Sequence, residues 1–275
     1  MVDINSELKK LFGFDKFKGN QEKIINSLLQ GENVFVIMPT GGGKSLCYQL
    51  PALISEGTAI VISPLISLMK NQVDFVRSVS TDPSIAHFLN STLNRHEIAQ
   101  VREDLLSQKT KLLYVAPESL TKPENIELFQ SIKISFYAID EAHCISQWGY
   151  DFRPAYLNIA SIRQYVPKVP ILALTATATP EVVDDIQEKL HFKEKNVFSK
   201  SFERRNLTYN VYEKNDKIGA LLQLCEKSKG TGIVYVGTRK ETKEIAYVLQ
   251  QNGFPADFYH GGLDTETRTQ KQELW

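Results

Sequence analysis

Five short apolar runs that do not alternate with polar residues constrain this chain more than any other feature. They are Val34-Phe35-Val36-Ile37-Met38, Ala59-Ile60-Val61-Ile62, Leu112-Leu113-Tyr114-Val115, Phe136-Tyr137-Ala138-Ile139 and Ile171-Leu172-Ala173-Leu174. A strand that is apolar on both sides is buried on both faces, the habit of a parallel sheet covered by helices. The segments between them carry helical spacing, as at Ile24, Ile25, Leu28 and Leu29, and at Leu65, Leu68, Met69 and Val73. Strand and helix in alternation predict an α/β fold with a doubly wound parallel sheet.

Length and composition bound the rest. The 275 residues suffice for two domains, and 42% apolar with 23% charged residues excludes disorder and low complexity. Thirty-two basic side chains balance thirty-two acidic ones, so any nucleic-acid surface is a local patch rather than a basic coat. Cys47, Cys144 and Cys225 lie far apart without a CxxC pair, which argues against a disulfide framework and against a structural zinc site. No apolar run approaches the ~20 residues of a membrane span, and the first residues lack the layout of a signal peptide. A protein of the cytoplasm, away from membranes, is expected.

A second series starts near residue 206. Leu207 to Tyr212, Gly232 to Val236 and Ala256 to Tyr259 are predicted strands, with helices over 218–224 and 239–251, the latter closed by Asn252-Gly253. The expected domains are 1–205 and 206–275. A helix pattern opens at Asp264 and reaches Trp275 without a stop signal, so the second domain is expected to be truncated.

The chemistry starts at Met38-Pro39-Thr40-Gly41-Gly42-Gly43-Lys44-Ser45, between a buried strand and a helix. Gly41, Gly42 and Gly43 let backbone N–H groups wrap an anion, and Thr40 opens that turn. The following helix adds its dipole, Lys44 reaches terminal phosphates, and the Ser45 hydroxyl suits Mg²⁺. Met38 stands where the strict phosphate-loop pattern has glycine. The run Phe136 to Ile139 ends in Asp140-Glu141-Ala142-His143, placing acids at the carboxyl edge of the sheet. There Asp140 suits Mg²⁺, and Glu141 suits orienting or deprotonating a water.

These segments, with Leu174-Thr175-Ala176-Thr177-Ala178-Thr179, resemble the superfamily 2 helicases. Ala142 to Pro154, with Gln147-Trp148-Gly149-Tyr150-Asp151-Phe152-Arg153 at its centre, resembles the aromatic-rich loop of the RecQ family. Phe12-Gly13-Phe14, Phe17 to Gln21, Ser63 to Met69 and Ala116 to Leu120 extend the likeness over nearly the whole chain. It implies a RecA-like, P-loop NTPase domain followed by part of a second, and an ATP-dependent 3′-to-5′ DNA helicase of recombination and repair. The partners so implied are single-stranded and forked DNA, met by a monomer at a bacterial nucleoid, with ATP and Mg²⁺ as cofactors. Lys44, Asp140 and Glu141 would be catalytic.

Carried over residue by residue, the resemblance has Phe14 stacking on adenine and Gln21 reading its edge. Lys18 stands where the family usually has arginine. Trp148, Phe152 and Arg153 would couple a bound strand to the nucleotide, their polar neighbours favouring exposure over burial under the sheet. His143, Thr175 and Thr177 would relay the nucleotide state. Ser63, Asn90, Ser91 and Thr92 are short donors suited to phosphate oxygens, or else caps and turns. Thr238 and Arg239 look like a strand contact in the second domain. The family's arginine finger and zinc-binding region would lie downstream, so this chain is expected to bind ATP and single strands weakly and unwind little. An RNA helicase, a duplex translocase or a non-processive binding module remains as an alternative.

Overall fold

The computed structural model describes residues 3–90, 93–149, 151–160, 168–201, 203 and 206–275. It divides into two compact units, Met1–Glu203 and Arg204–Trp275. In the first unit, α1 (Ile4–Phe12) opens on Asp3, whose carboxylate accepts the Asn5 N–H, and closes on left-handed Gly13. There follow α2 (Gln21–Leu29), β1 (Val34–Ile37), α3 (Leu46–Ile54), β2 (Thr58–Ile62) and α4 (Ile66–Ser80). Next come β3 (Ala86–Leu89), α5 (Arg95–Leu106), β4 (Leu112–Val115), α6 (Pro123–Ser131), β5 (Ile134–Ile139) and the short α7 (Pro154–Leu157). The unit ends with β6 (Ile171–Thr175), a helix over Pro180–Lys189 and β7 (Val197–Ser199).

The seven strands form one sheet, ordered β3-β4-β2-β5-β6-β1-β7, with every pairing parallel. Alternate residues of each strand feed opposite cores. Phe35, Ile60, Ile62, Leu113 and Val115 pack on one side with α5, α6 and α7. Val34, Val36, Ala59, Val61 and Tyr114 pack on the other with α2, α3 and α4. Phe35 and Ile60 are wholly buried, each worth ~1.5–3 kcal/mol of removed apolar surface. Doubly apolar strands thus give the expected doubly wound parallel sheet.

Consecutive strands run the same way, so their carboxyl ends share one edge. Ser63 follows β2, Asp140 follows β5, Thr175 ends β6 and Met38 follows β1. Register fixes their level: Ile37 pairs with Thr175, Ala173 pairs with Ile139, and the Met38 N–H donates to the Thr175 carbonyl at 3.0 Å. Sheet order puts β6 between β1 and β5, so the phosphate loop and Asp140 start about 10 Å apart, two inter-strand spacings.

The second unit departs from expectation. Its helices Lys217–Lys227, Arg239–Gln251 and Thr265–Leu274 form where the sequence places them, each opened by a side-chain cap from Asp216, Thr238 or Asp264. The segments 207–212, 232–236 and 256–259 are not strands, and 207–212 and 232–236 enter no backbone hydrogen bond among the described residues. A strand needs a partner's N–H and C=O groups and a covered face. Tyr209, Val211 and Tyr235 are exposed, and only Ala246 and Leu249 of this unit are buried among the described residues. The three cysteines are free, with Cys47 and Cys144 buried and their thiols pushed up to about 12 by that burial. Among the described residues no helix is long and apolar enough to cross a membrane.

Candidate active site

The phosphate loop leaves β1 and winds into α3 with Gly41 and Gly43 in the left-handed region. At Gly43 any side chain would also strike the Gln21 amide, 2.4 Å from where its Cβ would lie. Lys44 turns its ammonium back over the loop and donates to the Met38 carbonyl at 3.0 Å. Ser45 stands at the N-cap position of α3 without capping it, and Thr40 and Gly41 are exposed at the mouth. Gln21 is buried, its amide N–H donating to the Gly43 carbonyl at 3.0 Å and its amide oxygen accepting the Lys18 N–H at 2.7 Å. One end of the side chain braces the phosphate loop and the other the segment ahead of α2, so both are committed to the fold, while the Lys18 side chain is exposed.

Asp140 lies across β6 from this loop. Burial, then the neighbouring Glu141 charge, raise its carboxyl from an ordinary 3.8 to about 6, and the Lys44 ammonium pulls the other way. The same ammonium lowers Glu141, whose main depressing influence is its hydrogen bond to His143. Sheet register sets the loop and the acid pair at the same edge, the Lys44 ammonium is held there by the Met38 carbonyl, and it acts on both acids. The Glu141 N–H donates to Asp140 Oδ1 at 3.0 Å. Glu141 itself sits at φ 50°, ψ 46°, a left-handed backbone that costs a non-glycine residue ~1–2 kcal/mol. An oxygen set of hydroxyl and desolvated carboxylate beside a glycine cradle suits Mg²⁺ with a phosphate chain.

Behind the acids, His143 and Thr175 are buried. His143 Nδ1 lies 3.0 Å from Thr175 Oγ1 and 3.3 Å from Glu141 Oε2. Thr175 donates its hydroxyl proton to the Thr177 carbonyl and accepts the Thr177 N–H, which leaves its oxygen as the acceptor for Nδ1–H. Thr177 therefore joins this chain through its backbone, and among the described residues the hydroxyl link is that of Thr175.

The loop that follows projects Trp148, 79% exposed, with Phe152 and Arg153 half-buried. Its neck is tight. A Cβ at Gly149 would lie 2.5 Å from the His143 carbonyl oxygen, so only glycine passes. Arg153 pairs with Asp151 at 3.0 Å and reaches the Pro64 carbonyl at 3.5 Å. The fold also gathers ligand atoms of His143, Cys144 and Asp151 within 4.8 Å, which their spacing in sequence did not announce. Two N–H groups of Arg153 already hold that Asp151 carboxylate.

The pattern described as DEAD/DEAH box helicase matches residues 18–186. The chain belongs to that family. It is 46% identical over 271 residues to the ATP-dependent DNA helicase RecQ of Bacillus subtilis, covering 98% of this chain and 45% of that protein. The RecQ of Haemophilus influenzae is 42% identical over 269 residues, with 98% and 43% covered. The chain thus spans under half the length of these relatives, and the likeness to RecQ helicases holds across it. Among solved structures, the DUF1998 helicase MrfA bound to DNA superposes with a TM-score of 0.73 at 17% identity, covering 99% of this chain and 42% of that one. The Mycobacterium smegmatis helicase Lhr, bound to single-stranded DNA and AMP-PNP, gives 0.70 at 16%, covering 99% and 40%. Both likenesses are of fold.

Other expected site residues of this DEAD/DEAH box helicase chain lie in different surroundings. Phe14, exposed, lines a cavity of about 290 Å³ beside Ser45, with Phe12, Leu46, Gln49, Gln72 and Phe75 completing its wall. Ser63 corrects its expectation: it is 2% exposed, its hydroxyl is buried without a partner among the described residues, and no phosphate reaches it there. Asn90 is half-buried after β3, and Ser91 and Thr92 lie outside the described residues. Thr238 caps its helix, exchanging hydrogen bonds with Glu241, so its hydroxyl is committed to the fold rather than presented to a strand. Arg239 is exposed, with its guanidinium against Gly262.

Proposed function

We propose that this chain is the nucleotide-binding and DNA-coupling part of an ATP-dependent 3′-to-5′ DNA helicase of RecQ type. The whole protein would act as a monomer on single-stranded and forked DNA in recombination and repair, in the bacterial nucleoid. The observation that carries this reading is that Lys44, Asp140 and Glu141 follow the carboxyl ends of β1 and β5 on one sheet edge, with the Trp148–Arg153 loop following the same acids.

In this reading the loop amides and Lys44 cradle the β- and γ-phosphates of ATP. Ser45 and Asp140 are the residues that would hold Mg²⁺, which when bound neutralises charge on the phosphate oxygens. Glu141, kept ionised by His143 and Lys44, accepts a hydrogen bond from the attacking water and orients it. Phe14, Lys18 and Gln21 form the adenine end. Trp148 and Phe152 stack on bases while Arg153 meets phosphate. His143 and Thr175 link that loop to the hydrolytic acids.

The test combines a fluorescent ATP analogue with Mg²⁺ and a single-stranded oligonucleotide. Wild-type chain binds both, Lys44→Ala loses the nucleotide, and Trp148→Ala weakens the strand. For the whole protein, ATP turnover rises on single-stranded DNA and a 3′-tailed duplex is separated. Nucleotide binding indifferent to both Lys44→Ala and Asp140→Asn would refute the reading.

A further inference from the structure

The aromatic loop leaves the sheet at Asp140 and returns to it at α7. Two hydrogen bonds close that circuit. The Arg153 N–H donates to the Cys144 carbonyl at 3.0 Å, and the Tyr156 hydroxyl donates to the Asp140 carbonyl at 3.1 Å. Tyr156 is wholly buried in the core under the sheet edge, its ring held among apolar neighbours. Such a tyrosine in a short helix would pass as core packing, yet its one polar atom is aimed at the backbone of a catalytic acid.

The carbonyl it holds belongs to the peptide group whose N–H is that of Glu141, and that N–H donates to Asp140 Oδ1 at 3.0 Å. A peptide group is planar and rigid. Tyr156 therefore grips one end of a unit whose other end fixes the Asp140 carboxylate, and whose plane sets the left-handed φ of 50° at Glu141. Turning this unit would release both hydrogen bonds and redirect both acids together.

We propose that Tyr156 is a positioning residue, transmitting the seating of the aromatic loop to Asp140 and Glu141 by holding the peptide group between them. Its ring moves only with α7, and α7 is entered through Arg153, the loop's last residue, which ties Asp151 to the Pro64 carbonyl. A strand engaging Trp148, Phe152 and Arg153 shifts α7 and with it the hydroxyl. The proposal rests on the functional reading above and adds the route of coupling.

The experiment uses Tyr156→Phe, which keeps the ring and deletes one hydroxyl. Affinity for a fluorescent, non-hydrolysable ATP analogue with Mg²⁺ is measured with and without an oligo-dT strand, and the ratio is the coupling. Expected is a roughly two- to tenfold smaller ratio in the variant, the worth of one hydrogen bond, with strand affinity alone unchanged. In wild type, amide exchange at Glu141 changes when the strand binds. An intact ratio in Tyr156→Phe overturns the proposal. So does a variant that loses nucleotide affinity equally with and without strand, the mark of a merely structural role. Wild-type Glu141 exchange that ignores the strand overturns it even if the variant fails to fold. A wild type that binds neither ligand refutes the functional reading, and the proposal with it.

Discussion

Replacing Asp140 by asparagine should make the ligand-free first unit more stable while abolishing its use of a Mg²⁺-nucleotide. The carboxyl is raised from an ordinary 3.8 to about 6, chiefly by burial and then by Glu141. The folded domain therefore holds this proton more tightly than the unfolded chain does. Sign follows directly: stability contributed by the protonated form is full below pH ~4 and is lost as pH rises towards 6. A difference of about two pH units at ~1.4 kcal/mol per unit gives on the order of 3 kcal/mol. The amide of Asp140→Asn keeps the shape and the acceptor for the Glu141 N–H but cannot ionise. For a unit of about two hundred residues, the gain is roughly 6–12 °C in unfolding midpoint at pH 8, shrinking to nothing near pH 4. Thermal unfolding of both proteins across pH 4–8 is the assay. Adding Mg²⁺ and nucleotide should close the gap at pH 8, because wild type alone binds them. A stability difference that is flat with pH, or an Asp140→Asn variant less stable at pH 8, would refute the reasoning.

Further outcomes follow from the same geometry. Lys44→Ala should weaken nucleotide binding at least about tenfold in a fluorescence titration, the scale of a charged hydrogen bond to phosphate. Gln21→Ala removes hydrogen bonds to the Gly43 carbonyl and the Lys18 N–H, so denaturant unfolding should show a loss of ~1–3 kcal/mol together with weaker nucleotide binding. Trp148→Ala should cost ~1–3 kcal/mol of single-strand affinity by fluorescence titration, without loss of stability, since the indole is exposed. Gly149→Ala drives a methyl to 2.5 Å from the His143 carbonyl oxygen; calorimetry should register ~1–3 kcal/mol of destabilisation.

The central sheet was legible because β1, β2, β4, β5 and β6 are apolar on both faces, a pattern few other settings allow. The edges were not. β3 carries His87, buried between Asp104 at 3.0 Å and Arg77 at 3.1 Å, and this polar pairing across α4 and α5 has no local signature. β7 is three residues long and largely exposed. In the second unit the opposite error arises, since local β-propensity at 207–212 and 232–236 does not supply a partner strand. The site divides the same way. Lys44, Asp140 and Glu141 follow from a loop or acid pair at a strand's end, which spacing alone places. The bracing of the phosphate loop by Gln21, the burial of Ser63 and the grip of Tyr156 on Asp140 depend on residues brought together only by folding.

The interposition of β6 between β1 and β5 makes the sheet a gauge. A ligand anchored at the β1 loop must extend past the Thr175 end, across two inter-strand spacings, before it meets the acids. The span from glycine loop to acid pair is in this sense set by strand order, ahead of any side chain that lines it.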